Sequence, residues 1–121
     1  MIDQPTLAER GTEAAKRFIE RLGYVILAED WSDGQCRNVS FVAEVGGKLH
    51  LVDVGVHHFG SHTFEPLSES DAAQVRETAR AWSLDDKVRF EYDQITVYVS
   101  GGDRAFIRTY YDVLNDCGIA A

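Results

Sequence analysis

Two apolar runs rich in β-branched residues, 39–45 and 48–56, flank the pair Gly46-Gly47. Glycine at both central positions marks a two-residue hairpin, because such turns need the positive φ that Gly takes without steric cost. Pairing then steps outward from the loop. Val45 faces Lys48, Val42 faces Leu51, Ser40 faces Asp53 and Asn38 faces Gly55. One face of the hairpin carries Val39, Phe41, Ala43 and Val45 with His50, Val52, Val54 and Val56, and is almost wholly apolar. The other carries Asn38, Ser40, Val42 and Glu44 with Leu49, Leu51, Asp53, Gly55 and His57, and ends in a polar cluster whose carboxylate is Asp53.

Upstream, Thr6 and Glu9 have capping-box spacing, and Leu7, Gly11, Ala14 or Ala15, Phe18 and Leu22 recur at helical intervals before Gly23 supplies a left-handed stop. A helix is therefore predicted over about 6–22. The run Tyr24 to Ala28 reads as a buried strand extending toward Trp31, and Ser32-Asp33-Gly34 breaks it. Downstream, 60–67 reads as irregular. Ser68 and Asp71 then open a second helix, over about 69–83, with Ala72, Val75, Ala79 and Trp82 as its stripe. Val88, Phe90 and Tyr92 alternate, as do Ile95, Val97 and Val99, but the two sets are out of phase, which predicts a bulge or break near Asp93 and Gln94. After Gly101-Gly102-Asp103 two readings stand: a strand over 105–109 followed by a short helix around 110–115, or one helix capped by Asp103 with Ile107, Tyr110, Tyr111 and Leu114 as its stripe. Trp31 and Trp82 read as core, and Phe106, Tyr110 and Tyr111 as core or interface. Helices around a central three-strand meander predict an α/β sandwich with a mixed sheet covered by helices.

Size and charge narrow the function classes. A chain of 121 residues accommodates one core, so a single domain spanning 1–121 is expected. The chain has no apolar run of roughly 18 residues and its N-terminus lacks the basic-then-apolar pattern of a signal peptide, so no membrane association and a cytoplasmic location are expected. Cys36 and Cys117 have no metal-ligand or disulfide-framework spacing. Twelve Lys plus Arg against twenty Asp plus Glu give a net charge of −8. That balance weighs against nucleic acid as a partner, since phosphate neutralisation supplies most of such affinity. Arg10, Lys16, Arg17 and Arg21 could form a local basic patch on the first helix, although a solvated helix face explains them more simply.

Several segments together resemble a known family. Arg10-Gly11-Thr12-Glu13-Ala14-Ala15, followed by Glu20-Arg21-Leu22-Gly23-Tyr24-Val25-Ile26-Leu27 and Trp31, is similar to the opening of the small bacterial YraN-like proteins, with their Gly-x-Glu helix and Gly-Tyr-x-Ile-Leu strand. The family's hairpin motif, Gly-Glu-Ile-Asp and then Glu-Val-Lys, falls without gaps on Arg37 to Ser40 and Asp53 to Gly55. Phe59-Gly60, Thr78-Ala79-Arg80-Ala81-Trp82 and Tyr92-Asp93-Gln94-Ile95-Thr96-Val97 also resemble it, so the likeness covers most of residues 9 to 99. It implies a restriction-endonuclease-like sandwich, related to Holliday-junction resolvases and carrying the PD-(D/E)xK signature. In that signature an Asp and a Glu on neighbouring strands hold a divalent metal, and a Lys positions the attacking water.

Here the family Asp position is Ser40, the Glu position is Asp53, the Lys position is Gly55, and the Glu of Gly-Glu-Ile-Asp is Asn38. A Lys that the family carries early in its second helix is Asp71. Glu13 remains as the family has it, and Asp53 keeps a carboxylate one methylene shorter. The resemblance therefore implies a degenerate catalytic site of Glu13 and Asp53, with Asn38, Ser40 and Gly55 as its vestige. Mg²⁺ or Mn²⁺ would be the cofactor if activity survived, and none is needed otherwise.

All four histidines, His50, His57, His58 and His62, lie within thirteen residues. One reading gathers Asp53, His57 and His62, with Glu13 or Glu65, into a substitute site for zinc, manganese or iron. The simpler one makes them sheet-edge and loop histidines. His58, Phe59 and the loop to Phe64 could cover a groove or form a homodimer contact. Three functions follow in order of preference: a non-catalytic descendant of the nuclease fold kept as an interaction or structural module for a protein partner; a metal-dependent DNA endonuclease or resolvase-like enzyme using Glu13, Asp53 and a histidine; and a metal- or small-ligand-binding protein.

Overall fold

The computed structural model describes residues 6–35, 37–58, 67–99 and 104–116. Chain order is α1 (Leu7–Arg21), β1 (Val25–Trp31), β2 (Val39–Val45), β3 (Lys48–His58), α2 (Glu69–Ser83), β4 (Phe90–Val99), β5 (Ala105–Tyr110) and α3 (Val113–Asp116). The strands form one sheet in the order β1-β2-β3-β4-β5. All neighbouring pairs are antiparallel except β3 and β4, which run parallel. A parallel pair needs a crossover, and α2 supplies it. The mixed five-stranded sheet between helices matches the α/β sandwich expected.

Local chemistry explains the helix ends. The Thr6 hydroxyl accepts from the Glu9 amide at 3.1 Å, and the Ser68 hydroxyl from the Asp71 amide at 3.0 Å, each satisfying a first-turn N–H that would otherwise have no partner. Gly23, at φ +98°, lets the chain reverse while the Tyr24 amide donates back to the Ile19 carbonyl at 3.0 Å. At the end of α2 the equivalent left-handed position, φ +56°, is filled by Leu84, whose side chain is 92% exposed.

The helices bury opposite faces of the sheet. Gly11, Ala15 and Ile19 turn α1 toward Phe41, Ala43, Val52, Ile95 and Val97. Leu22, expected in that stripe, is exposed, and Ile19 takes the buried position. Ala72, Val75 and Ala79 of α2 meet Val39, Val42, Leu51, Tyr92, Val113 and Leu114, with Trp31 and Trp82 edge-to-face at 5.1 Å. Val39 was expected to share the face of Phe41. Asp30 takes a left-handed φ of +48° that interrupts alternation at the end of β1, and Val39, paired with Trp31, packs on the α2 side.

Two further expectations are resolved by what is buried. No bulge interrupts β4, whose pairing with β3 is continuous from Leu49 with Phe90 to His58 with Val99. The apparent phase change arises because Phe90 and Tyr92 face α2 whereas Ile95, Val97 and Val99 face α1, so a flat strand buries each face in turn. Residues 105–110 form the antiparallel edge strand β5, and α3 follows, in place of one continuous helix. Tyr110 packs against the α2-side core, whereas Phe106 and Tyr111 are about half exposed. Cys36, Phe59, His62, Phe64, Glu65 and Cys117 lie outside the described residues. Among the described residues no helix is long and apolar enough to cross a membrane.

Two stability outcomes follow. A Cβ built on Gly11 would lie 2.5 Å from Val56 Cγ2 and 3.1 Å from Val56 Cβ, a stiff branched side chain on the sheet. Gly11→Ala should therefore destabilise by about 1–3 kcal/mol despite its better helix propensity, and Val56→Ala in the same chain should recover part of the loss in a denaturant double-mutant cycle. A left-handed conformation costs an L-residue about 1–2 kcal/mol, of which Gly's larger chain entropy takes back about 0.5–1 kcal/mol. Leu84→Gly, which gives up no buried surface, should raise stability by roughly 0.5–1 kcal/mol, measurable as a higher melting temperature.

Candidate functional site

The hairpin ladder runs in the expected register, Val45 with Lys48 and Val42 with Leu51, and its backbone pairing continues to Phe41 with Val52. Beyond that point side chains take over. Asp53 Oδ1 accepts from the Ser40 amide at 3.1 Å, and Ser40 Oγ accepts from the Val54 amide at 3.0 Å. Asn38 turns to β1, its amide donating to Asp30 Oδ1 at 3.0 Å. The outer end of β2 thus stays with β1 while β3 continues beside β4, and the sheet forks at Ser40 and Asp53.

Asp53 lies in this fork on the α2 side, where two side chains join the Ser40 amide around it. The Tyr92 hydroxyl donates to Asp53 Oδ2 at 2.5 Å, and the Arg37 guanidinium lies 3.4 Å from the same oxygen. Arg37 also pairs with Asp71 Oδ1 at 3.3 Å and approaches the Tyr92 hydroxyl at 3.5 Å. Its own carbonyl accepts from Thr78 Oγ1 at 2.8 Å, which fixes the segment to α2. One guanidinium therefore serves two carboxylates. Burial, then the Asp53 carboxylate, push the Tyr92 phenol far above its ordinary range, with Arg37 partly opposing them.

The other residues singled out in the sequence are distributed as follows. Glu13, on α1, pairs with Arg17 at 3.4 Å on the opposite side of the sheet from Asp53. Gly55 and His57 follow Asp53 along β3, and a Cβ on Gly55 would come within 3.1 Å of His57 Nε2. Of the basic α1 residues, Lys16 is bridged to Glu29 on β1 at 3.0 Å. Beside the fork a groove of about 940 Å³ opens between α2 and the residues Asp33, Gln35 and Arg37, with Gln74, Glu77, Arg80 and Leu84 also in its lining.

A second polar centre, unread from the sequence, lies on the α1 face. Asp93, 1% exposed, accepts from the Tyr24 hydroxyl at 2.7 Å and from the Asp112 amide at 3.0 Å, and lies 2.8 Å from His50 Nδ1. His50 Nε2 faces Glu91 Oε2 at 3.2 Å, and the other oxygen of Glu91 accepts from Lys48 Nζ at 3.1 Å. Ligand atoms of His50, Glu91 and Asp93 lie within 4.8 Å of one another. Two signals pointed here: a histidine on an otherwise apolar face, and an aspartate inside an apolar run. What joined them was the parallel pairing of His50 with Glu91 and of Val52 with Asp93, which local sequence does not encode.

A mixed sheet sandwiched between helices and forked at a carboxylate-bearing cleft defines an α/β protein of restriction-endonuclease-like architecture. No protein-family model matches the chain. It is 32% identical over 104 residues to a UPF0102 protein of Chloroflexus aurantiacus strain J-10-fl, an alignment covering 79% of this chain and 82% of the relative, and the UPF0102 protein of strain Y-400-fl matches with the same figures. The chain belongs to the UPF0102 family, that of the YraN-like proteins.

The buried phenols give a pH dependence with a definite sign. Burial first, then the hydrogen bond to Asp93, raise the Tyr24 phenol well above its ordinary value, as Asp53 does for Tyr92. A raised folded-state value means that above about pH 10 the unfolded chain releases protons the native chain retains, so stability is intact below that pH and falls as pH rises beyond it. Each phenol contributes a slope of up to about 1.4 kcal/mol per pH unit there. Tyr24→Phe should therefore lose stability near neutrality, through its hydrogen bond, yet show a shallower decline between pH 10 and 12 in denaturant titrations.

Proposed function

We propose that this chain is a non-catalytic descendant of the nuclease fold, retained as an interaction or structural module. The observation that carries this reading is the position of Arg37. Where the resembling motif has Gly, this chain places a guanidinium 3.4 Å from Asp53 Oδ2 and 3.3 Å from Asp71 Oδ1. A cation that belongs to the chain thus faces the carboxylate that would bind a divalent metal. Unlike a metal ion, it carries no exchangeable water to activate. Asp71 stands where the family resemblance puts a Lys, so the positive charge has moved from α2 to the strand entry while the ion pair joins the two.

The rest of the cleft supports the same reading. Both Asp53 oxygens are already accepting, from the Ser40 amide and the Tyr92 hydroxyl. Ser40 and Gly55 offer neither a second carboxylate nor an amine in the fork, and general acid–base assistance alone is typically worth about 10²–10⁴-fold in rate. A net charge of −8 opposes association with a phosphate backbone.

The test is incubation of branched and flapped DNA with the purified chain in Mg²⁺, Mn²⁺ or EDTA, beside Asp53→Ala. No cleavage above the EDTA control is expected for either protein. Metal-dependent cutting that disappears in Asp53→Ala would overturn the proposal in favour of a metal-dependent endonuclease.

A further inference from the structure

The centre on the α1 face poses an electrostatic problem that the cleft does not. Asp93 receives the Tyr24 hydroxyl and the Asp112 amide, so its carboxylate is held in place by two donors from outside the centre. With Asp93 ionised, its carboxylate is an acceptor and the proton shared with His50, 2.8 Å away, sits on Nδ1. In the neutral ring the lone pair of Nε2 then points at Glu91 Oε2, 3.2 Å away. Two acceptors at that distance repel unless a cation lies between them. Lys48 does not fill this role, since it donates to the other Glu91 oxygen at 3.1 Å. With Nδ1 carrying the ring proton, what can join Nε2 to Glu91 is a proton, on the ring or on the carboxyl, or a metal ion.

The geometry points to a divalent transition-metal site of the zinc type, with His50 Nε2 and Glu91 Oε2 as its protein ligands and solvent completing the coordination. Tetrahedral zinc holds nitrogen and oxygen ligands at roughly 2.0–2.2 Å, which places them about 3.3 Å apart, so the observed 3.2 Å separation needs little adjustment. Asp93 is the positioning residue. A carboxylate on the second ring nitrogen is the arrangement that fixes tautomer and orientation in histidine metal sites, and here it is itself fixed by Tyr24 and Asp112. His50 is 6% exposed, while Glu91 is partly open to solvent and leaves an entry path. Imidazole with carboxylate suits zinc, cobalt or manganese rather than magnesium. The site lies across the sheet from Asp53 and stands or falls independently of the non-catalytic reading of the cleft.

The experiment is titration of the purified full chain with Zn²⁺, Co²⁺ and Mg²⁺, following melting temperature and the visible absorption of Co²⁺. Saturable stabilisation by Zn²⁺ and a cobalt ligand-field band are expected, with Mg²⁺ inert. Glu91→Gln should weaken binding at least tenfold, Asp93→Asn about 10–100-fold, and Asp53→Asn should leave it unchanged. Absence of stabilisation would overturn the proposal and leave a proton as the bridge between Nε2 and Glu91. Binding that survives Glu91→Gln would also overturn it, as would binding lost in Asp53→Asn. Should Glu91→Gln fail to fold, nitrogen NMR of the unaltered chain decides. Zinc should move the His50 Nε2 resonance and leave Nδ1 protonated, and a response confined to His57, His58 or His62 would refute the site.

Discussion

The parallel pairing of β3 with β4 is the contact on which both polar centres depend. It sets Leu51 beside Tyr92 on the α2 side, so that the phenol reaches Asp53, and sets His50 beside Glu91 on the α1 side. Parallel strands need a long crossover, and here α2 supplies it, docked through Ala72, Val75 and Ala79. The apolar packing of one helix therefore holds the register that the polar chemistry on both faces requires.

The cleft and the α1-face centre answer the cost of buried charge differently. At the fork, the charged groups stay partly open to water, and the Arg37 guanidinium links Asp53 to Asp71. At the other centre, Asp93 is almost wholly enclosed and depends on neutral donors and a histidine. Burying a carboxylate is tolerable only when its oxygens are satisfied, and each Asp93 oxygen is. Among the described residues no buried side-chain polar atom is left without a hydrogen-bond partner.

Features encoded within a few residues were legible. Thr6 with Glu9 and Ser68 with Asp71 marked helix starts, Gly23 marked a helix end, and Gly46-Gly47 set a register that put Ser40 beside Asp53. Features that depend on distant partners were not. The two halves of β4 seemed to need a bulge because the alternation was read against a single buried face, whereas α1 and α2 bury one each. Arg37 stood only as the first residue of the aligned hairpin motif, with no role, since its partners Asp53, Asp71 and Tyr92 come from three other elements. His50 looked like one polar intruder on an apolar face, because Tyr24 and Asp93 are 69 residues apart in the chain.

Tyr92 and Asp93 are consecutive on one strand and serve opposite faces of the sheet. Side chains alternate with a period of two, so inserting or deleting one residue in β4 ahead of them would exchange their roles, driving an aspartate into the apolar layer beneath α2 and a phenol into the histidine centre. Such a length change is a graver alteration to this chain than a substitution that keeps the alternation. The length of β4 up to Asp93 is constrained from both sides of the sheet at once.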